Sequence, residues 1–98
     1  MTDKQFYVYI LATEKNGTFY VGITSSLAKR IWEHKSEVVD GFTKKHGIKM
    51  LVYYEVFGDA ENAIKREKRL KKWSRNSKMK AIEEMNPEWN DLYETISC

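Results

Sequence analysis

The sequence predicts an α+β domain: a small, three-stranded, mostly antiparallel sheet flanked by helices, in the order ββαβαα. Three observations predict it. Two aromatic and β-branched runs, FYVYILA (6–12) and FYVGI (19–23), are joined across Asn16-Gly17, the pattern of a β-hairpin. A third such run, MLVYYEVF (50–57), lies apart from them. Apolar residues recur at helical spacing between the second and third runs and again after the third.

Each element has its own warrant. Asn16 and Gly17 both tolerate positive φ, so a two-residue turn is expected, pairing Tyr9 with Thr24 and Leu11 with Gly22. Residues 24–39 read as a helix capped by Ser25 or Ser26, with Leu27, Ile31 and Val38 on one stripe. Residues 40–48 read as a loop with room for a short helical turn. Residues 58–73 form a helix with Asp59 as N-cap, and residues 74–85 another starting near Ser74 or Ser77. Asn86-Pro87 ends it, because the residue before proline is pushed out of the helical region. The tail is expected to pack through Trp89, Leu92 and Tyr93.

Hydrophobic residues at 42% and aromatics at 13% suffice for one small core, so a single domain over residues 1–98 is expected. No run approaches the ~18 apolar residues of a membrane span, and the first residues lack the charged start and apolar stretch of a signal peptide. Cys98 is the only cysteine. That excludes an internal disulfide and a cysteine-held zinc, and it suits the cytoplasm.

The net charge of +3 is unevenly spread: residues 64–80 carry nine Lys/Arg against Glu67 alone, a local net of +8. Such a segment is either a solvated helix face or the footprint of a phosphate-rich partner. Lys65, Arg66, Lys68, Arg69, Lys72 and Arg75 are the candidate phosphate contacts within it.

Side chains alternate across a strand, so the hairpin has one apolar face (Phe6, Val8, Ile10, Ala12, Phe19, Val21, Ile23) and one carrying Tyr9, Tyr20 and Gly22. A glycine inside a strand weakens it unless something must approach closely or the chain bulges. On the first helix His34 lies within about 20° of Leu27 and Arg30 about 60° from it, both at or beside the buried stripe. On the helix after the third strand, Glu67 falls within about 20° of Ala60, in the middle of a stripe with Ala63, Ile64 and Leu70. A carboxylate there needs a partner. It is paired to Lys71 four residues on, or it serves as a metal ligand or acid/base group in a cleft. Two tyrosines, an arginine, a histidine and one glutamate beside a basic segment suit phosphodiester hydrolysis. The arginine would neutralise the phosphate and a hard cation on the carboxylate would act as Lewis acid. A tyrosine or histidine would serve as general base.

These residues and their spacing resemble the GIY-YIG nuclease domain, in its small stand-alone form. Tyr7-Val8-Tyr9 and Tyr20-Val21-Gly22 stand where the two signature tripeptides would; Arg30, His34, AIKREKRLKKW (63–73) and NPEW (86–89) follow. The resemblance implies a three-stranded antiparallel sheet flanked by helices and divalent-metal-dependent cleavage of DNA. It implies Mg²⁺ or Mn²⁺, one ion on Glu67, and no organic cofactor. Tyr9 and Tyr20 would be the active-site tyrosines, Gly22 the close-approach glycine, Arg30 the phosphate-binding arginine and His34 a residue that positions the water. Asn86, or else Asn76, would be the active-site asparagine. Branched or nicked DNA from repair or recombination is the expected substrate. The other reading is a nucleic-acid-binding module with little or no catalysis, using the basic segment and Trp73. Tyr7 departs from the signature glycine.

Overall fold

A computed structural model describes residues 4–36 and 46–96. Three strands, β1 (Phe6–Ala12), β2 (Phe19–Thr24) and β3 (Met50–Phe57), form one antiparallel sheet in the order β2-β1-β3. The helices are α1 (Leu27–Lys35), α2 (Ala60–Lys72), α3 (Arg75–Met85) and the short α4 (Tyr93–Ile96). The loop expected over 40–48 lies largely outside the described residues. None of the described helices is long and apolar enough to cross a membrane.

Alternation in the strands sorts the core into two layers. Val8, Ile10, Ala12 and Val21 meet Ala63 and Leu70 of α2, Ile82 of α3 and Trp89 of the tail. Tyr9, Leu11 and Leu51 meet Leu27 and Ile31 of α1, with Leu92, Tyr93 and Ile96 packed alongside. The sheet is thus sandwiched, with α2, α3 and Trp89 on one face and α1 and α4 on the other. Asp59 caps α2 by accepting from the Asn62 amide, and Ser74 caps α3 by accepting from the Ser77 amide. Ile64, expected on the buried stripe of α2, is instead exposed. The stripe that reaches the sheet runs through Ala63 and Leu70, and Ile64 turns past its edge.

The hairpin turn differs from the two-residue expectation. Thr13 N donates to Thr18 O at 3.1 Å and Thr18 N to Thr13 Oγ1 at 3.0 Å, which leaves a four-residue loop, Glu14–Gly17. Within it Asn16 takes the left-handed conformation at φ 60°, and Gly17 N closes on Glu14 O at 2.9 Å. The register therefore moves by two residues: Tyr9 pairs with Gly22 and Leu11 with Tyr20. Because side chains alternate with period two, the two faces of the hairpin keep their residues.

Asn86 is a structural residue. Its side chain is buried against β3, donating from Nδ2 to Val52 O (3.2 Å) and Asn90 O (2.7 Å) and accepting at Oδ1 from Asn90 N (3.0 Å). Trp89 N closes the turn on Asn86 O, and Trp89 (φ 56°) stacks on Phe19. Asn86→Ala leaves those backbone groups without partners. It should lower unfolding free energy by about 2–3 kcal/mol in a urea titration; an unchanged midpoint would remove the residue from this role.

Candidate functional site

The new register explains the glycine. A Cβ at Gly22 would lie 2.4 Å from Tyr9 Oη and 2.5 Å from Tyr9 Cζ. What approaches the sheet here is the ring of Tyr9 itself, lying across the neighbouring strand. The close approach assigned to Gly22 is thus filled from within the molecule.

Leaning over Gly22 brings Tyr9 into a cluster of three rings. Its centroid is 6.4 Å from Tyr20 and 6.1 Å from His34, while Tyr20 and His34 are 5.7 Å apart. Tyr9 Oη lies 3.3 Å from His34 Nε2. Tyr9 and His34 are buried, and Tyr20 is half-buried at the rim. α1 supplies His34 from its inner face and Arg30 from the turn before it. Arg30 is exposed, and its Nε lies 3.5 Å from Glu33 Oε1. A polar cleft of about 140 Å³ opens beside it, between Thr24, Ser25, Ser26, Lys29, Arg30 and Glu33. Larger clefts, of about 440, 470 and 350 Å³, lie away from the rings.

Burial pushes the Tyr9 phenol far above its ordinary value; Tyr20, Glu33 and Glu67 push the same way and Arg30 opposes them. Tyr9 is therefore a hydroxyl, not a phenolate, at neutral pH. Burial lowers His34 below its ordinary 6.5, Arg30 lowers it further, and Glu33 partly opposes. The imidazole is neutral near pH 7 and able to take a proton. This has a stability consequence. A depressed folded-state value means that the unfolded chain binds the proton more readily, so stability rises with pH across that interval. The contribution is complete above 6.5 and is lost as pH falls through the depressed value. Unfolding free energy should fall as pH drops below about 6.5, and less steeply in His34→Gln. Equal slopes would mean that another group titrates.

Glu67 sits on α2, against the opposite face of the sheet from α1. The Glu67 side chain is only 13% exposed, and Lys71 Nζ holds its Oε2 at 2.7 Å. The structure thus realises the Lys71 pairing and leaves a mostly buried carboxylate already holding a cation. Among the described residues no three His, Cys, Asp or Glu side chains converge as a metal cluster. That donor set does not suit zinc, which needs three or four protein ligands. It suits Mg²⁺, which takes one or two carboxylates and fills its shell with water and phosphate.

Several expected residues lie elsewhere. Asn86 belongs to the tail turn beside β3, the edge opposite β2. Asn76 is exposed in the first turn of α3, and Ser74, not Asn76, is the cap. Arg66 is bound bidentately to Glu55 (2.9 and 3.0 Å) and lies over Trp73 at 4.8 Å, so both are spent on packing. Arg75 donates to the carbonyls of Asn16 and Gly17 and stacks on Phe19, fastening the hairpin. Lys65 pairs with Glu61 at the surface. Lys68, Arg69 and Lys72 are exposed, with no ion-pair partner among the described residues. Glu33 was missed; an acid three residues after a helical arginine was the signal.

Known proteins resemble this chain in sequence and in fold. The model of the GIY-YIG catalytic domain matches residues 5–80. The chain is 37% identical over 78 residues to UPF0213 protein SSP2268 of Staphylococcus saprophyticus, covering 80% of this chain and 94% of that one. It is 40% identical over 76 residues to UPF0213 protein CPE1444 of Clostridium perfringens, covering 78% and 81%. The solution NMR structure of UPF0213 protein BH0048 from Bacillus halodurans superposes with a TM-score of 0.56 at 28% identity, covering 96% of this chain and 99% of that one.

Proposed function

The chain belongs to the GIY-YIG catalytic-domain family, a family of nucleases, and from that premise we propose that it is a divalent-metal-dependent DNA endonuclease. One observation carries the proposal. Tyr9, Tyr20 and His34 form one ring cluster, with Tyr9 Oη 3.3 Å from His34 Nε2, and α1 carries the exposed guanidinium of Arg30 one turn before His34.

Arg30, exposed beside its cleft, grips the scissile phosphate and neutralises charge that builds up on its oxygens. Tyr20, at the rim, orients the attacking water. His34, neutral and held by Tyr9 Oη, accepts the proton that this water loses as its oxygen bonds to phosphorus. The bond from phosphorus to the leaving sugar oxygen then breaks. A Mg²⁺ or Mn²⁺ ion on Glu67 would supply Lewis-acid stabilisation of that leaving oxygen. Lys68, Arg69 and Lys72 contact the backbone on either side. Such contacts position DNA without reading its sequence, so branched or nicked DNA, distinguished by shape, is the proposed substrate and repair or recombination the setting.

The test is cleavage of supercoiled, nicked and branched DNA with Mg²⁺, with Mn²⁺ and with EDTA. Cleavage that requires the metal and disappears in Glu67→Gln is expected. Salt-sensitive binding in EDTA with no cleavage in any metal would leave a binding module.

A further inference from the structure

Two ion pairs of the same spacing occur on α2. Glu61–Lys65 is exposed on both sides, at 77% and 69%, with Nζ and Oε2 3.2 Å apart. Glu67–Lys71 is shorter, 2.7 Å, and lopsided: the carboxylate is 13% exposed and the lysine 54%. A mostly buried carboxylate must hold a cation, since leaving it uncompensated is costly. The ammonium that compensates it comes from a solvated, flexible stem and leaves readily. It sits on Oε2 of the carboxylate that a divalent ion would use, and the two cations compete for that group. A dication and an ammonium about 5 Å apart repel enough, even in a water-like dielectric, to change an equilibrium about tenfold.

We propose that Lys71 is a placeholder cation: it holds Glu67 until a divalent ion arrives, then moves to a DNA phosphate, so that metal and DNA bind cooperatively. The proposal deepens the nuclease reading and rests on Glu67 being the metal ligand. Lys71 is then a binding residue for DNA only when metal is present. In the free protein it competes with the metal. Reciprocity follows: whatever factor DNA contributes to metal affinity, metal contributes to DNA affinity.

The experiment measures Mn²⁺ affinity by electron paramagnetic resonance, without turnover, in the wild type, Lys71→Met, Lys65→Met and Glu67→Gln. The measurement is repeated with a phosphorothioate-substituted DNA duplex that resists cleavage. Without DNA, Lys71→Met should bind Mn²⁺ about tenfold more tightly than wild type, and Lys65→Met should not. With DNA, affinity should rise more in wild type than in Lys71→Met. Equal affinity of wild type and Lys71→Met, an equal gain in Lys65→Met, or an equal DNA effect in wild type and Lys71→Met would each overturn the placeholder role. Unchanged binding in Glu67→Gln would overturn the metal assignment beneath it.

Discussion

Arg30→Ala is expected to slow DNA cleavage by about 10²–10³-fold while leaving the unfolding midpoint almost where it was. The contrast is the point. Among the described residues the Arg30 side chain pairs with Glu33 at 3.5 Å, and it is 44% exposed. An exposed pair of that kind contributes under about 1 kcal/mol, so the fold does not need the guanidinium. The reaction does, because charge builds up on the phosphate as the nucleophile bonds. Arg30→Lys should recover part of the rate, since an ammonium supplies the charge but not the two-pronged geometry. A large drop in thermal stability in Arg30→Ala would assign the residue to the fold. A rate near wild type would remove it from the reaction.

Gly22→Ala should damage both stability and activity. Its Cβ would occupy the space of the Tyr9 ring, and Tyr9 is 1% exposed, boxed in by Tyr20 and His34. Overpacking of this kind costs about 1–3 kcal/mol, and a displacement of about 1 Å in a catalytic cluster is enough to cost 10²-fold in rate. The double mutant identifies the cause. Tyr9→Leu alone leaves a cavity, whereas in the Gly22→Ala background the new methyl group partly fills it. The two stability losses should therefore add to less than their sum, with cleavage low in all three variants. Strict additivity would show that the methyl group and the ring do not meet.

Much of this molecule is legible locally. The strands announce themselves by alternation, and Met50–Phe57 begins and ends where its composition does. The caps at Asp59 and Ser74 need only a carboxylate or hydroxyl three residues before an amide. Tyr9 and Tyr20 share a face under any even shift of register. Glu67 lies inward because helical periodicity puts it there, a fact of spacing rather than of partners.

What the chain could not disclose by itself depends on residues that meet only when it folds. Arg66 and Arg75 look like the other basic residues of their segment. Arg66 finds Glu55 eleven residues away, and Arg75 finds the hairpin fifty-eight away. Asn86 resembles a site residue until Val52, thirty-four positions distant, claims its amide. Gly22 reads as a gap for a ligand until the hairpin register puts Tyr9 across it. Sequence by itself determined which faces are apolar and where the elements start, because periodicity and capping act over a single turn or strand. Only the tertiary structure decided which polar groups are already satisfied, because a hydrogen bond between distant segments leaves no periodic trace in the chain.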